Sequence, residues 1–179
     1  MCIRDSLRAI VESKRKDIEV VAINNRSSLE VCAHLLKYDS VHGTFPYEIN
    51  TSENNLHVGN KKIFVSNETT IDGIRWDKSN VDLVMECTGK FNSAEECQKH
   101  INAGARKVLI SAPAKDADLT VVYGVNDEKI NSGHNIISNA SCTTNCLAPI
   151  AKVLNDNFGI VEGFMTTVHS YTGDQPTID

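Results

Sequence analysis

Short apolar runs alternate with helix-period stripes along most of the chain. Residues 18–23 form a brief apolar run. Residues 28–37 follow with Leu29, Cys32, Ala33 and Leu36 on one helical face. A second run over 81–86 precedes a helix near 93–103, which Gly104 stops where a left-handed residue is wanted. Further runs lie at 107–111 and 119–122, and a first helix at 7–13. Continuous apolar strands separated by helices predict a parallel sheet covered on both faces. The fold class expected is therefore α/β, a doubly wound, mostly parallel Rossmann-like sheet, followed by the start of a second, α+β domain.

Two stretches depart from this rhythm. Residues 46–66 alternate polar and apolar side chains around Gly59-Asn60, which predicts an inserted β-hairpin. Residues 142–158 carry the stripe Leu147, Ile150, Ala151, Leu154 and Phe158, with Ser141 as N-cap and Gly159 as stop. Pro149 lies past the first turn, so a 3₁₀ start or a slight kink is expected there. A strand is predicted over 161–171.

Composition narrows the picture. The chain has 179 residues, 41% hydrophobic and 23% charged, as an ordinary globular protein has. A net charge of −5 with no long basic block argues against nucleic acid as a partner. The densest cations, Lys14, Arg15 and Lys16, read as a solvated helix end. No apolar stretch approaches the roughly 18 residues of a membrane span, and no secretory core stands at the start. The six cysteines (2, 32, 87, 97, 142 and 146) sit in apolar patterns without a CxxC pair. Reduced thiols, a cytoplasmic location and no metal are the expectation.

The candidate chemistry lies at Ser138-Asn-Ala-Ser-Cys-Thr-Thr-Asn-Cys146. An apolar run leads through small polar residues into a helical pattern, which puts Cys142 at a strand-to-helix junction. Helix starts carry unpaired N–H groups and the positive end of the macrodipole, and both favour a thiolate. Cys142 is therefore a candidate nucleophile. Cys146, one turn on, reads as a core or supporting residue. His169, in an apolar run, would by itself pass for a structural histidine.

These nine residues, with Thr166-Thr-Val-His-Ser170, 34–43, Cys87-Thr-Gly-Lys-Phe91, 104–108 and 147–163, resemble the phosphorylating glyceraldehyde-3-phosphate dehydrogenase family, of a bacterial type. The resemblance runs from about residue 7 to 179. It implies Cys142 as nucleophile and His169 as its activator and base. It implies Ser141, Thr143, Thr172 and Asp174 at the substrate and phosphate sites, and Asn24, Asn25, Arg26, Thr88, Gly89, Phe91 and Ser111 along NAD or NADP. Glyceraldehyde 3-phosphate and inorganic phosphate would be the substrates, and a homotetramer the assembly.

The chain also departs from the family pattern. No G-x-G-x-x-G loop occurs, and Asn25 followed by Arg26 stands where NAD-specific members carry an acid. A lost carboxylate beside a gained cation suits a 2′-phosphate, so the reading leans to NADP. Residues 1–6 are expected to be an artefactual tail, 7–141 an incomplete dinucleotide domain, and 142–179 the start of a truncated catalytic domain. The rivals are erythrose-4-phosphate dehydrogenase and, from another class, an inactive fragment or thiol redox module.

Overall fold

Ser28 shows how local chemistry starts an element here. Its backbone is extended, and its side-chain oxygen accepts the Val31 N–H, so helix α2 (Leu29–Lys37) begins on a satisfied cap. The computed structural model describes residues 2–170. They fall into two compact units, residues 2–84 with 97–108 and residues 85–96 with 109–170.

The first unit opens with α1 (Cys2–Glu12), which begins earlier than the predicted 7–13. β1 (Ala22–Asn24) is shorter than the apolar run that predicted it. After α2 comes a small antiparallel pair, β2 (Tyr38–Asp39) and β3 (Gly43–Thr44). The segment expected as one hairpin is a meander of three strands, β4 (Ile49–Ser52), β5 (Asn55–Val58) and β6 (Lys61–Ser66). Its two turns use Glu53 at φ 51° and Gly59 at φ 56°. β6 then runs parallel to β1, pairing Ile23 with Val65, so the sheet order is β1-β6-β5-β4. Leu7, Leu36, Phe45, Leu56, Val58 and Ile63 close the core between this sheet and the two helices.

The same unit holds one close approach that fixes a residue type. Gly104 has a φ of 109°, and a Cβ built there would stand 2.6 Å from the Asp77 backbone nitrogen. Only glycine fits that position. Nearby, the buried Trp76 indole N–H donates to His100 Nδ1 at 3.0 Å.

The second sheet has the order β7-β8-β10-β9, from β7 (Leu83–Glu86), β8 (Lys107–Ile110), β9 (Leu119–Thr120) and β10 (Ile136–Ser138). β10 lies parallel to β9, with Ile137 opposite Leu119. α3 (Ala94–Asn102) follows β7 in the chain, and α4 (Cys142–Phe158) follows β10. The α/β class is as expected, with its strands in two four-stranded sheets plus a pair.

Over the described residues 161–170 the predicted strand is not formed. Residues 162–170 have no strand partner, and Val161, Phe164 and Val168 are almost fully exposed. An apolar run becomes a strand only when another strand takes its N–H and C=O groups. α4 remains helical through Pro149, whose missing N–H leaves out one internal bond. The helix ends at Gly159, in the left-handed region at φ 71°.

Candidate active site

The second unit gathers its functional positions at the carboxyl ends of neighbouring strands. β7 ends at Glu86, and Thr88 and Gly89 lie just past it. Ser111 lies one residue past β8, and its N–H donates to the Glu86 carbonyl at 3.0 Å. Asn139 lies one residue past β10, and its N–H donates to the Ile110 carbonyl at 2.9 Å. Three strand ends thus stand in a row and carry Thr88-Gly89, Ser111 and the turn into Cys142. Open α/β sheets bind ligands at this edge.

Glu86 was not singled out by sequence reasoning. Its buried carboxylate accepts the Thr88 N–H at 2.7 Å and so shapes the turn that presents Gly89. Gly89 adopts a φ of 72°, with open space where a side chain would stand. An acid ending an apolar run was the available signal.

Cys142 opens α4. Ser141 caps the helix by accepting the Thr144 N–H at 3.0 Å, and its hydroxyl also bonds Thr144 Oγ1 at 2.7 Å. The exposed Cys142 Sγ lies 3.2 Å from His169 Nε2. The other ring nitrogen of His169 contacts the Ser170 carbonyl, which fixes the ring's orientation. This bond from His169 is the chief reason the Cys142 thiol is lowered from its ordinary 9.0, with smaller help from the Thr143 hydroxyl and N–H. The same bond, then the Ser170 carbonyl, raises His169 above 6.5. The two shifts converge toward a thiolate–imidazolium pair, the form in which sulfur attacks carbon and imidazolium can return a proton.

Of the positions expected along the cofactor, Asn24, Asn25 and Arg26 belong to the first unit and Thr88, Gly89, Phe91 and Ser111 to the second. In the first, the Asn24 carboxamide is spent internally. Its oxygen accepts from Ser66 Oγ at 2.9 Å and the Glu68 N–H at 2.8 Å, and its nitrogen donates to the Glu68 carbonyl. Asn25 accepts the Ser27 N–H and donates to Cys32 Sγ at 3.1 Å. Arg26 beside it is exposed. The end of β1 thus carries two amides, both held by internal bonds, and one exposed cation next to them. In the second unit, Thr88, Gly89, Phe91 and Ser111 offer small or aromatic groups around an open strand edge, the surface a dinucleotide needs. Thr172 and Asp174 lie outside the described residues.

Among the described residues, Asp5, Asp39 and His42 stand within ligating reach of one another. Asp39 is taken up by Arg4 Nη2 at 2.6 Å and by the Val41 and His42 N–H groups, so the cluster reads as a capped turn. No helix among the described residues is long and apolar enough to cross a membrane.

Comparison with known proteins bears on the chain as a whole. Residues 4–94 match the domain family described as glyceraldehyde 3-phosphate dehydrogenase, NAD binding domain, and residues 141–179 match the C-terminal domain of the same enzyme. The chain is 55% identical over 176 residues to a glyceraldehyde-3-phosphate dehydrogenase of Xanthobacter flavus, covering 98% of this chain and 52% of that protein. It is 54% identical to the one of Geobacillus stearothermophilus, over 93% of this chain and 50% of the relative. For Thermotoga maritima the identity is 52%, over 96% and 52%. The chain thus spans about half the length of the curated relatives it matches. With both domain families matched in order, and Cys142 paired with His169 at the start of the second, the chain belongs to the glyceraldehyde-3-phosphate dehydrogenase family.

Proposed function

We propose that Cys142 and His169 are the nucleophile and base of an NAD(P)-dependent, phosphorylating oxidation of glyceraldehyde 3-phosphate. The observation that carries this reading is the 3.2 Å contact between Cys142 Sγ and His169 Nε2 at a capped helix N-terminus. The thiolate adds to the aldehyde carbon, and His169 protonates the new oxygen or takes its proton back as the carbonyl re-forms. A bound nicotinamide dinucleotide would supply the acceptor for the hydride that leaves this carbon. The acyl group is then a thioester on Cys142, reactive enough for inorganic phosphate to displace the sulfur. That displacement yields an acyl phosphate and restores the thiolate.

The Thr143 hydroxyl and the N–H groups at the start of α4 face the charge that develops beside the sulfur. Ser141 contributes chiefly as the cap that exposes them, since its hydroxyl is held by Thr144. Thr172 and Asp174 complete the substrate phosphate site in this proposal. Asn24 positions β1, while Asn25 and Arg26 meet the adenosine ribose, with NADP accepted in preference to NAD. The working assembly is a cytoplasmic homotetramer.

The test uses an enzyme of the relatives' length that carries this sequence. Dinucleotide reduction with glyceraldehyde 3-phosphate should require inorganic phosphate, and Cys142→Ser should lower it by about 10³-fold or more. Turnover that is independent of phosphate would contradict the phosphorolysis step. The ratio of kcat/KM for NADP and NAD tests the Asn25-Arg26 reading, and a strong NAD preference would sink it.

A further inference from the structure

We infer that Ser138 and Asn145 are positioning residues that together aim the Cys142 thiol, by clamping the turn between β10 and α4 from both sides. The inference rests on Cys142 being the nucleophile. Only residues 139–141 separate the end of the strand from the start of the helix. Ala140, in the middle, has a φ of 57°, a left-handed conformation that alanine holds only where its surroundings impose it.

Those surroundings are polar and specific. Ser138 has no exposed surface. Its hydroxyl donates to the Ala112 carbonyl at 2.7 Å and accepts the Ala140 N–H at 3.1 Å. Asn145, on the first turn of α4, donates its amide nitrogen to the Asn139 carbonyl at 2.7 Å and the Ser141 carbonyl at 2.9 Å. With the Asn139 N–H bonded to Ile110, every residue of the turn has a peptide group tied down. Each bond runs to the strand, to the loop after β8 or to the helix, so the turn cannot rotate without breaking several. Rotation of this turn would swing Sγ out of the 3.2 Å contact with His169.

The test is thiol alkylation by iodoacetamide in the 179-residue chain, followed across pH and resolved by peptide mapping. Cys146, exposed on the same helix, is the internal reference. In Ser138→Ala and in Asn145→Ala, Cys142 alkylation at neutral pH should slow by on the order of tenfold relative to Cys146. Its pH midpoint should rise toward that of an ordinary thiol. The double substitution should do little more than either alone, because both hold one turn. Unchanged Cys142 rate and midpoint in both variants, with a lowered midpoint in the parent chain, would overturn this inference alone. An ordinary thiol midpoint in the parent chain would overturn the nucleophile reading and this inference with it. If a variant changes both cysteine rates in parallel and loses helical circular dichroism, the residue is structural only, which also counts against positioning.

Discussion

The core of the first unit and the surroundings of Cys142 are held by different means. The first is built by packing: Phe45, Leu56 and Ile63 are buried completely or almost so, and their neighbours come from two helices and a meander far apart in sequence. The second is built by hydrogen bonds from side chains to nearby backbone. α4 contains no buried residue, yet its cap, its turn and its Cys142–His169 contact are all formed. A catalytic thiol needs direction more than burial, and directional bonds over a few residues supply it.

Truncating each region should expose this difference. Phe45→Ala should cost about 3–5 kcal/mol in denaturant unfolding, because it opens a cavity in a filled core. A cost below about 1 kcal/mol would show that the core is loosely packed. Ser28→Ala should cost about 1 kcal/mol by removing the α2 cap, measured in the same way. Leu154→Ala should change stability of this chain by less than about 0.5 kcal/mol, since Leu154 is half exposed on α4. A larger loss would mean that the α4 stripe is packed in solution, and the contrast between the regions would fall.

Much of this was legible in the sequence, where the deciding chemistry is local. The cap Ser141, the stop at Gly159 and the glycine at 104 announce themselves within a turn of their helices, whereas Ser28, expected inside its helix, is the cap that precedes it. Cys142 was legible because small polar residues between an apolar run and a helical stripe dictate a strand–helix junction. His169 was legible only through family resemblance; nothing in its own neighbours marks it as a base.

What depends on distant partners was not legible. The expected hairpin gained a third strand, β4, across a tight turn at Glu53, and β6 found β1 as a parallel partner, a pairing that spans 42 residues between Asn24 and Ser66. The strand over 161–171 failed for the opposite reason, since no partner meets it among the described residues. Ser138 stands in the motif, but its bond to Ala112 crosses 26 residues and cannot be read from spacing. Asn145 was passed over between two more conspicuous cysteines. Asn24 illustrates the converse, a strand-end residue assigned to a ligand whose side chain the fold uses for itself.

The central claim is that His169 makes Cys142 a nucleophile. The most direct measurement is the pH dependence of Cys142 alkylation, with and without His169→Asn. The thiolate fraction grows as pH rises through the thiol's midpoint, and the bond from His169 moves that midpoint below the ordinary 9.0. The wild-type curve should therefore rise at lower pH than an ordinary thiol's. His169→Asn should carry it back toward 9.0 and slow alkylation at neutral pH. Identical curves for the two proteins would contradict the pairing of Cys142 with His169 as the source of its reactivity.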